Sequence, residues 1–118
     1  MQDCIFCKIV RGEIPARKVY EDDEIVGFHD IHPQAPMHFM LIPKRHIGSL
    51  AEAMPDDAGV LGRMLALTGR LAREQGSPDG YRTIVNTGRI GLQDVMHLHV
   101  HVLGGPNPLG RMLARGAV

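Results

Sequence analysis

The sequence predicts an α+β domain: a mostly antiparallel sheet of four or five strands, one long helix and a short helix near the N-terminus. Three observations carry this. His97-Leu98-His99-Val100-His101-Val102 alternates imidazole with aliphatic side chains at the period of two that a strand imposes. Val60, Met64, Leu67 and Leu71 recur at the three-and-four spacing of one helix face. Two short runs, Arg17 to Glu21 and Glu24 to Ile31, flank Asp22-Asp23 as strands flank a hairpin turn.

In chain order, Cys4 to Arg11 carries Ile5, Phe6, Ile9 and Val10 at helical spacing, with Gly12 where a helix often stops. Pro15 blocks continuation, and the hairpin follows. Pro33 and Pro36 lead stiffly into His38 to Ile42, apolar on both faces and so a central strand, closed by Pro43. Pro55 suits the first position of the long helix, which runs to about Gln75. Leu61, Leu65 and Ala72 add a second stripe beside the first, which calls either for another subunit or for deeper burial. Gln75 to Gly80 is a connection inside the domain. Tyr81 to Asn86 gives a strand, Thr87 to Met96 a loop containing Gly88 and Gly91, and the histidine strand ends at Gly104-Gly105. Pro106 to Val118 is a C-terminal tail without assignable pattern.

At 118 residues the chain fits a single domain, residues 1–118. Thirteen basic residues balance thirteen acidic ones, so no net field draws it to nucleic acid or to an anionic membrane. No apolar run approaches the roughly 18 residues of a membrane helix. Asp3, Lys8, Arg11 and Glu13 interrupt what a signal peptide would need, and the expected location is the cytoplasm. The two cysteines, Cys4 and Cys7, lie one helical turn apart, a spacing that suits metal ligation or redox chemistry better than a structural disulfide. The histidines carry the chemistry. Leu98, Val100 and Val102 face a core, which leaves three imidazoles, each a ligand, nucleophile or proton carrier, on the strand's outer surface.

Beyond the three histidines stand Phe28-His29-Asp30-Ile31, Pro33-Gln34-Ala35-Pro36 with His38, Ile42-Pro43-Lys44-Arg45-His46, Gly80-Tyr81-Arg82, Asn86, Gln93 and Gly104-Gly105. With these segments, in this order and over nearly its whole length, the chain resembles the histidine triad superfamily, in its Hint branch of nucleotide-binding phosphoramidases. The resemblance implies a single domain with a five-stranded, mostly antiparallel sheet, and the second apolar stripe points to a homodimer with the Val60 to Leu71 helix at its interface. It implies that His99 attacks the α-phosphorus of a purine nucleoside 5′-phosphoramidate or aminoacyl adenylate, giving a nucleotidyl-imidazole that water hydrolyses. Such a covalent step divides one hard displacement into two easier ones.

The same resemblance assigns His101 to the phosphoryl oxygens, where developing charge needs a donor, and associates His97 and His38 with the site, His38 as an orienter of His99. Asp30 matches the acceptor for ribose hydroxyls. Ile5, Phe6, Ile9, Phe28, His29 and Ile31 would line the purine slot, the aliphatic ones doubling as core. Asn86, Gln93 and Asp94 would sit near the phosphate. Cys4, Cys7, His46 and His97 match a structural zinc set, a closed Cys₂His₂ tetrahedron; two reduced, unmetallated cysteines are the alternative. No P-loop pattern occurs, magnesium is not expected, and the amides of Gly88 to Gln93 are the candidates for an anion cradle.

Three positions depart from the family pattern. Asp94 stands where serine is frequent; a carboxylate repels phosphate and attracts an ammonium, which favours cationic leaving groups such as a lysine-like amine. Leu92 replaces a common glycine and puts in doubt how closely the backbone approaches phosphate. Met96 replaces an aromatic, with no consequence that follows from its chemistry. Two functions fit the pattern: hydrolysis through His99, or purine-nucleotide binding with a scaffold role and vestigial hydrolysis. Val102-Leu103-Gly104-Gly105 after the triad differs from the proline and arginine that usually follow it in dinucleoside polyphosphate hydrolases.

Overall fold

The computed structural model describes residues 3–113; the last five residues of the tail, 114–118, lie outside the described residues. Five strands form one antiparallel sheet in the order β1-β2-β3-β5-β4. Among the described residues no helix is long and apolar enough to cross a membrane.

Helix α1 (Ile5–Val10) starts at Cys4, whose thiol accepts the Cys7 N–H at 3.4 Å. It stops at Gly12, whose φ of +79° lets the amides of Gly12 and Glu13 turn back to the carbonyls of Ile9 and Lys8. Strands β1 (Lys18–Glu21) and β2 (Ile25–His29) form the expected hairpin, its turn pinned by Asp22 Oδ1 accepting from the Glu24 and Ile25 amides. Strand β3 (Met37–Pro43) is buried at all seven positions, as a central strand should be. A 3-10 turn from Pro55 to Asp57 leads into α2 (Ala58–Glu74). Strand β4 (Arg82–Ile84) is shorter than the Tyr81 to Asn86 expectation, and β5 (Val100–Gly104) completes the sheet.

Helix α2 covers one face of the sheet. Met64, Leu71 and Ala72 pack there against Ile25, Phe39, Leu41, Leu98, Val100 and Val102. On the other face Phe6 and Ile9 of α1 pack with Val26, Phe28, Met40 and Ile42. The wide second stripe expected on α2 is therefore narrower than the sequence implies. Ala72 belongs to the buried stripe and Leu61 packs at the edge of the core, while Leu65 is 53% exposed.

The histidine run is only partly strand. Pairing of β3 with β5 runs from Met37 opposite Gly104 to Leu41 opposite Val100, and continuing it would set Leu98 against Pro43, which has no N–H to donate. The ladder stops there. Leu98 instead donates its N–H to the Ile47 carbonyl at 2.7 Å, and His97 and His99 keep the strand's alternation without its pairing. Nor is the histidine face open: α1 lies over it, with the ring of Phe6 edge-on to His97 and His99 at 5.9 and 5.2 Å.

The loop before the histidines is a helical turn. Gly91 donates to the Thr87 carbonyl, Leu92 to Arg89 and Gln93 to Gly88. The Gln93 side chain, itself buried, staples the loop: Oε1 accepts the Gly88 amide, and Nε2 donates to the carbonyls of Gly48 and Val95. The amides of Gly88, Gly91, Leu92 and Gln93 are thus committed inside the loop, and the expected anion cradle does not have them to offer. Leu92 adopts φ +58°, a left-handed conformation, with its side chain 82% exposed and so without packing to offset the strain. Leu92→Gly should raise stability by about 1 kcal/mol, read as a higher urea midpoint at unchanged slope.

Candidate functional site

The imidazole face is ordered by a chain of hydrogen bonds in which each partner fixes the next ring. His99 Nδ1 stands 2.8 Å from the His97 carbonyl, which only accepts, so Nδ1 carries the hydrogen and Nε2 keeps its lone pair in the neutral ring. The His99 ring is 2% exposed, held by Phe6 on one side and by His101 at 4.9 Å between ring centres. Its Nε2 edge meets Asp94 Oδ1 at 3.5 Å, and that carboxylate is 78% exposed. This Nε2 therefore lies just under the surface, behind Asp94.

A second chain runs through His38. The Gln34 amide donates to His38 Nδ1 at 3.0 Å, which puts the hydrogen of a neutral His38 on Nε2. That nitrogen stands 2.9 Å from His101 Nδ1 and 3.4 Å from Asp30 Oδ2. His38 thus orients His101, not His99 as the sequence reading expects, because its place in β3 opposite Leu103 of β5 sets it beside the third histidine of the run. Burial pushes both His38 and His101 below the ordinary imidazole value, so both rings favour the neutral form.

Beside this face, against α1, lies a second cluster. The ligand atoms of Cys4, Cys7, His46 and His97 all fall within 4.8 Å of one another, and these four form a possible metal site. His97 Nε2 bonds to the Pro43 carbonyl at 2.7 Å, so its Nδ1 lone pair points toward the sulfurs of Cys4 and Cys7, at 3.4 and 3.6 Å. His46 Nδ1 is 3.3 Å from the Cys7 sulfur. A histidine whose far nitrogen is anchored by a carbonyl is the usual arrangement of a zinc ligand. Burial pushes His97 down to about 4 and, with Cys4 beside it, raises the Cys7 thiol. A dication bound there would draw both sulfurs into the thiolate form. The donor set fits zinc.

Asp30 and the apolar residues assigned to the nucleoside are distributed unevenly. Asp30 follows β2, with Oδ1 accepting the His32 amide at 2.8 Å and Oδ2 turned to His38. Phe6, Ile9 and Phe28 are buried in the α1 layer, whereas Ile5 and Ile31 are exposed and free to meet a base. His29 pairs with Phe39, whose side chain belongs to the α2 layer, so alternation sends the His29 ring away from the imidazole face. Asn86, two residues beyond β4, is half-buried. The role of the Gln93 amide as a loop staple was not visible in sequence; a glutamine at the end of a helical turn carries no signal of its own.

A family model described as the HIT domain matches residues 11–107. The chain is 51% identical over 106 residues to Protein HitA of Neisseria gonorrhoeae, covering 90% of this chain and 99% of that protein. It is 46% identical over 114 residues to the purine nucleoside phosphoramidase of Escherichia coli K12, covering 96% and 95%. Among solved structures, a HIT family hydrolase from Legionella pneumophila superposes with a TM-score of 0.85 at 44% identity, covering 89% of this chain and 95% of that one. A Zn-bound histidine triad family protein from Mycobacterium smegmatis superposes with a TM-score of 0.77 at 34% identity, covering 90% and 77%.

Proposed function

Since the chain belongs to the HIT domain family, we propose that it is a nucleotide-binding hydrolase that cleaves the P–N bond of purine nucleoside 5′-phosphoramidates, or releases the acyl group of aminoacyl adenylates. The observation that carries this reading is the hydrogen bond from His99 Nδ1 to the His97 carbonyl, which leaves the Nε2 lone pair on the edge of the ring that meets the exposed Asp94 carboxylate. The name of the Escherichia coli relative supports the same substrate class.

The reaction follows from that atom. His99 Nε2 attacks the α-phosphorus; the P–N bond breaks and the amine leaves with a proton taken from solvent water, so the nucleotidyl group is held on the imidazole. Water then attacks the same phosphorus, gives its proton back to solvent, and the P–Nε2 bond breaks to release the nucleoside monophosphate and the neutral ring. His101, with its hydrogen on Nε2, donates to the phosphoryl oxygens as charge builds there. Asp30 accepts from the ribose hydroxyls, Ile5, Phe6, Ile9, Phe28 and Ile31 bound the purine, His29 being turned to the other face of the sheet, and Asn86 and Gln93 border the phosphate, Gln93 through the loop it staples. Asp94 selects leaving groups that carry positive charge. We assign zinc to Cys4, Cys7, His46 and His97, where it would pin α1 to the histidine run and hold structure without an open coordination position. We assign the outer face of α2, where Leu65 is exposed, to a homodimer contact. A second reading, nucleotide binding without useful turnover, gains from the Asp94 carboxylate in front of Nε2, since it repels an incoming phosphate.

Three experiments test these assignments. Protein mixed briefly with an adenosine phosphoramidate should carry an adduct of adenylate mass on the peptide containing His99; substrate consumed with no adduct would remove His99 as nucleophile, and turnover equal in wild type and His99→Ala would favour the binding reading. Asp94→Ser should lower kcat/KM for cationic amine leaving groups roughly fivefold more than for neutral ones, as expected for one lost charge contact of about 1 kcal/mol; equal changes contradict the assignment. Purified protein should contain one zinc per chain by elemental mass spectrometry, lost in Cys7→Ser, with nucleotide affinity falling more than the turnover rate.

A further inference from the structure

We propose that Cys4 and Cys7 are a modification site, a reversible disulfide that forms on exposure to peroxide and empties the metal cluster; the inference rests on the zinc assignment above. Both sulfurs bear on one point. Cys4 caps α1 and Cys7 lies three residues on, so their side chains are neighbours on the first turn, with Cys4 Sγ accepting the Cys7 N–H at 3.4 Å. The two sulfurs stand 3.4 and 3.6 Å from the same His97 nitrogen and within 4.8 Å of each other. A bond of about 2 Å between them therefore asks the side chains to turn and little of the backbone.

The surroundings give the two sulfurs different parts. Cys4 is half-buried and, with His46, lines a cavity of about 440 Å³ that Asp94 and Met96 also border. Cys7 is 8% exposed and is not part of that lining. Peroxide therefore meets Cys4 first. Its thiolate attacks the peroxide O–O bond, giving a sulfenic acid on Cys4 and hydroxide; the Cys7 thiolate then attacks the Cys4 sulfur and displaces a second hydroxide. Two electrons pass from the sulfur pair to the peroxide, and protons from solvent turn both hydroxides to water. The disulfide offers a metal no thiolate, and His46 and His97 alone are half of a four-ligand set. Both cysteines belong to the first turn of α1, whereas His46 follows β3 and His97 precedes β5. The new bond thus closes inside the helix, and the metal tie between α1 and the histidine run is cut.

The test takes wild-type protein as purified, its zinc measured first by elemental mass spectrometry, and treats it with hydrogen peroxide near neutral pH. The tryptic peptide from Met1 to Lys8, which holds both cysteines, should lose the mass of two hydrogens together with its reactivity toward iodoacetamide. Zinc should appear in solution at the same rate, read by a chelating dye, and dithiothreitol should reverse both changes. Zinc retained with the thiols unchanged overturns the proposal while leaving the zinc reading intact, and so does zinc released by sulfinic acid formation with no disulfide. Protein purified without zinc overturns both. In Cys7→Ser, dimedone should trap the sulfenic acid at Cys4, and in Cys4→Ser the adduct at Cys7 should form roughly tenfold more slowly, since exposure governs access. Equal or reversed rates overturn Cys4 as the sulfur attacked; should the variants not fold, the wild-type measurements decide alone.

Discussion

The site depends on one backbone carbonyl. The oxygen of His97 accepts from His99 Nδ1, and it can do so because the β3–β5 ladder stops at Leu41 and Val100. Had pairing continued to Pro43, the peptide units around residues 97 to 99 would have been directed across the sheet. Pro43 ends the ladder for lack of an N–H, and its own carbonyl becomes the anchor for the His97 ring. A proline closing the central strand thus sets the geometry of two histidines.

His97 joins the two clusters. Its side chain faces the thiols of Cys4 and Cys7, and its main chain orients His99, so an ion bound among those ligands would stiffen the support of His99 without touching its ring. Phe6 works in the same direction from α1. It sits between the two cysteines in sequence and packs edge-on to His97, His99 and Phe28. Burial supplies the electrostatic side of the arrangement, holding His38, His97 and His101 toward their neutral forms.

Much of this was readable in sequence because it rests on periodicity and on residue chemistry. The helix of Val60 to Leu71, the hairpin across Asp22-Asp23 and the buried central strand follow from spacing and residue type, and the convergence of Cys4, Cys7, His46 and His97 from the family resemblance. What sequence did not disclose depends on distant partners. That His38 addresses His101 follows from strand register, and that α1 lies over the histidine face follows from tertiary packing of Phe6. The loss of four loop amides to internal bonds comes from a helical turn capped by Leu92 in a conformation leucine rarely adopts. Such a turn is invisible to pattern because its last residue breaks the local preference.

The tautomer of His99 is the most direct test of the whole account. Long-range nitrogen–proton correlation spectra of imidazole-labelled protein near neutral pH should show His99 with its hydrogen on Nδ1 and an unprotonated Nε2. A hydrogen found on Nε2 in the neutral ring would mean that the His97 carbonyl does not hold it, and would leave the nucleophile assigned here without its lone pair.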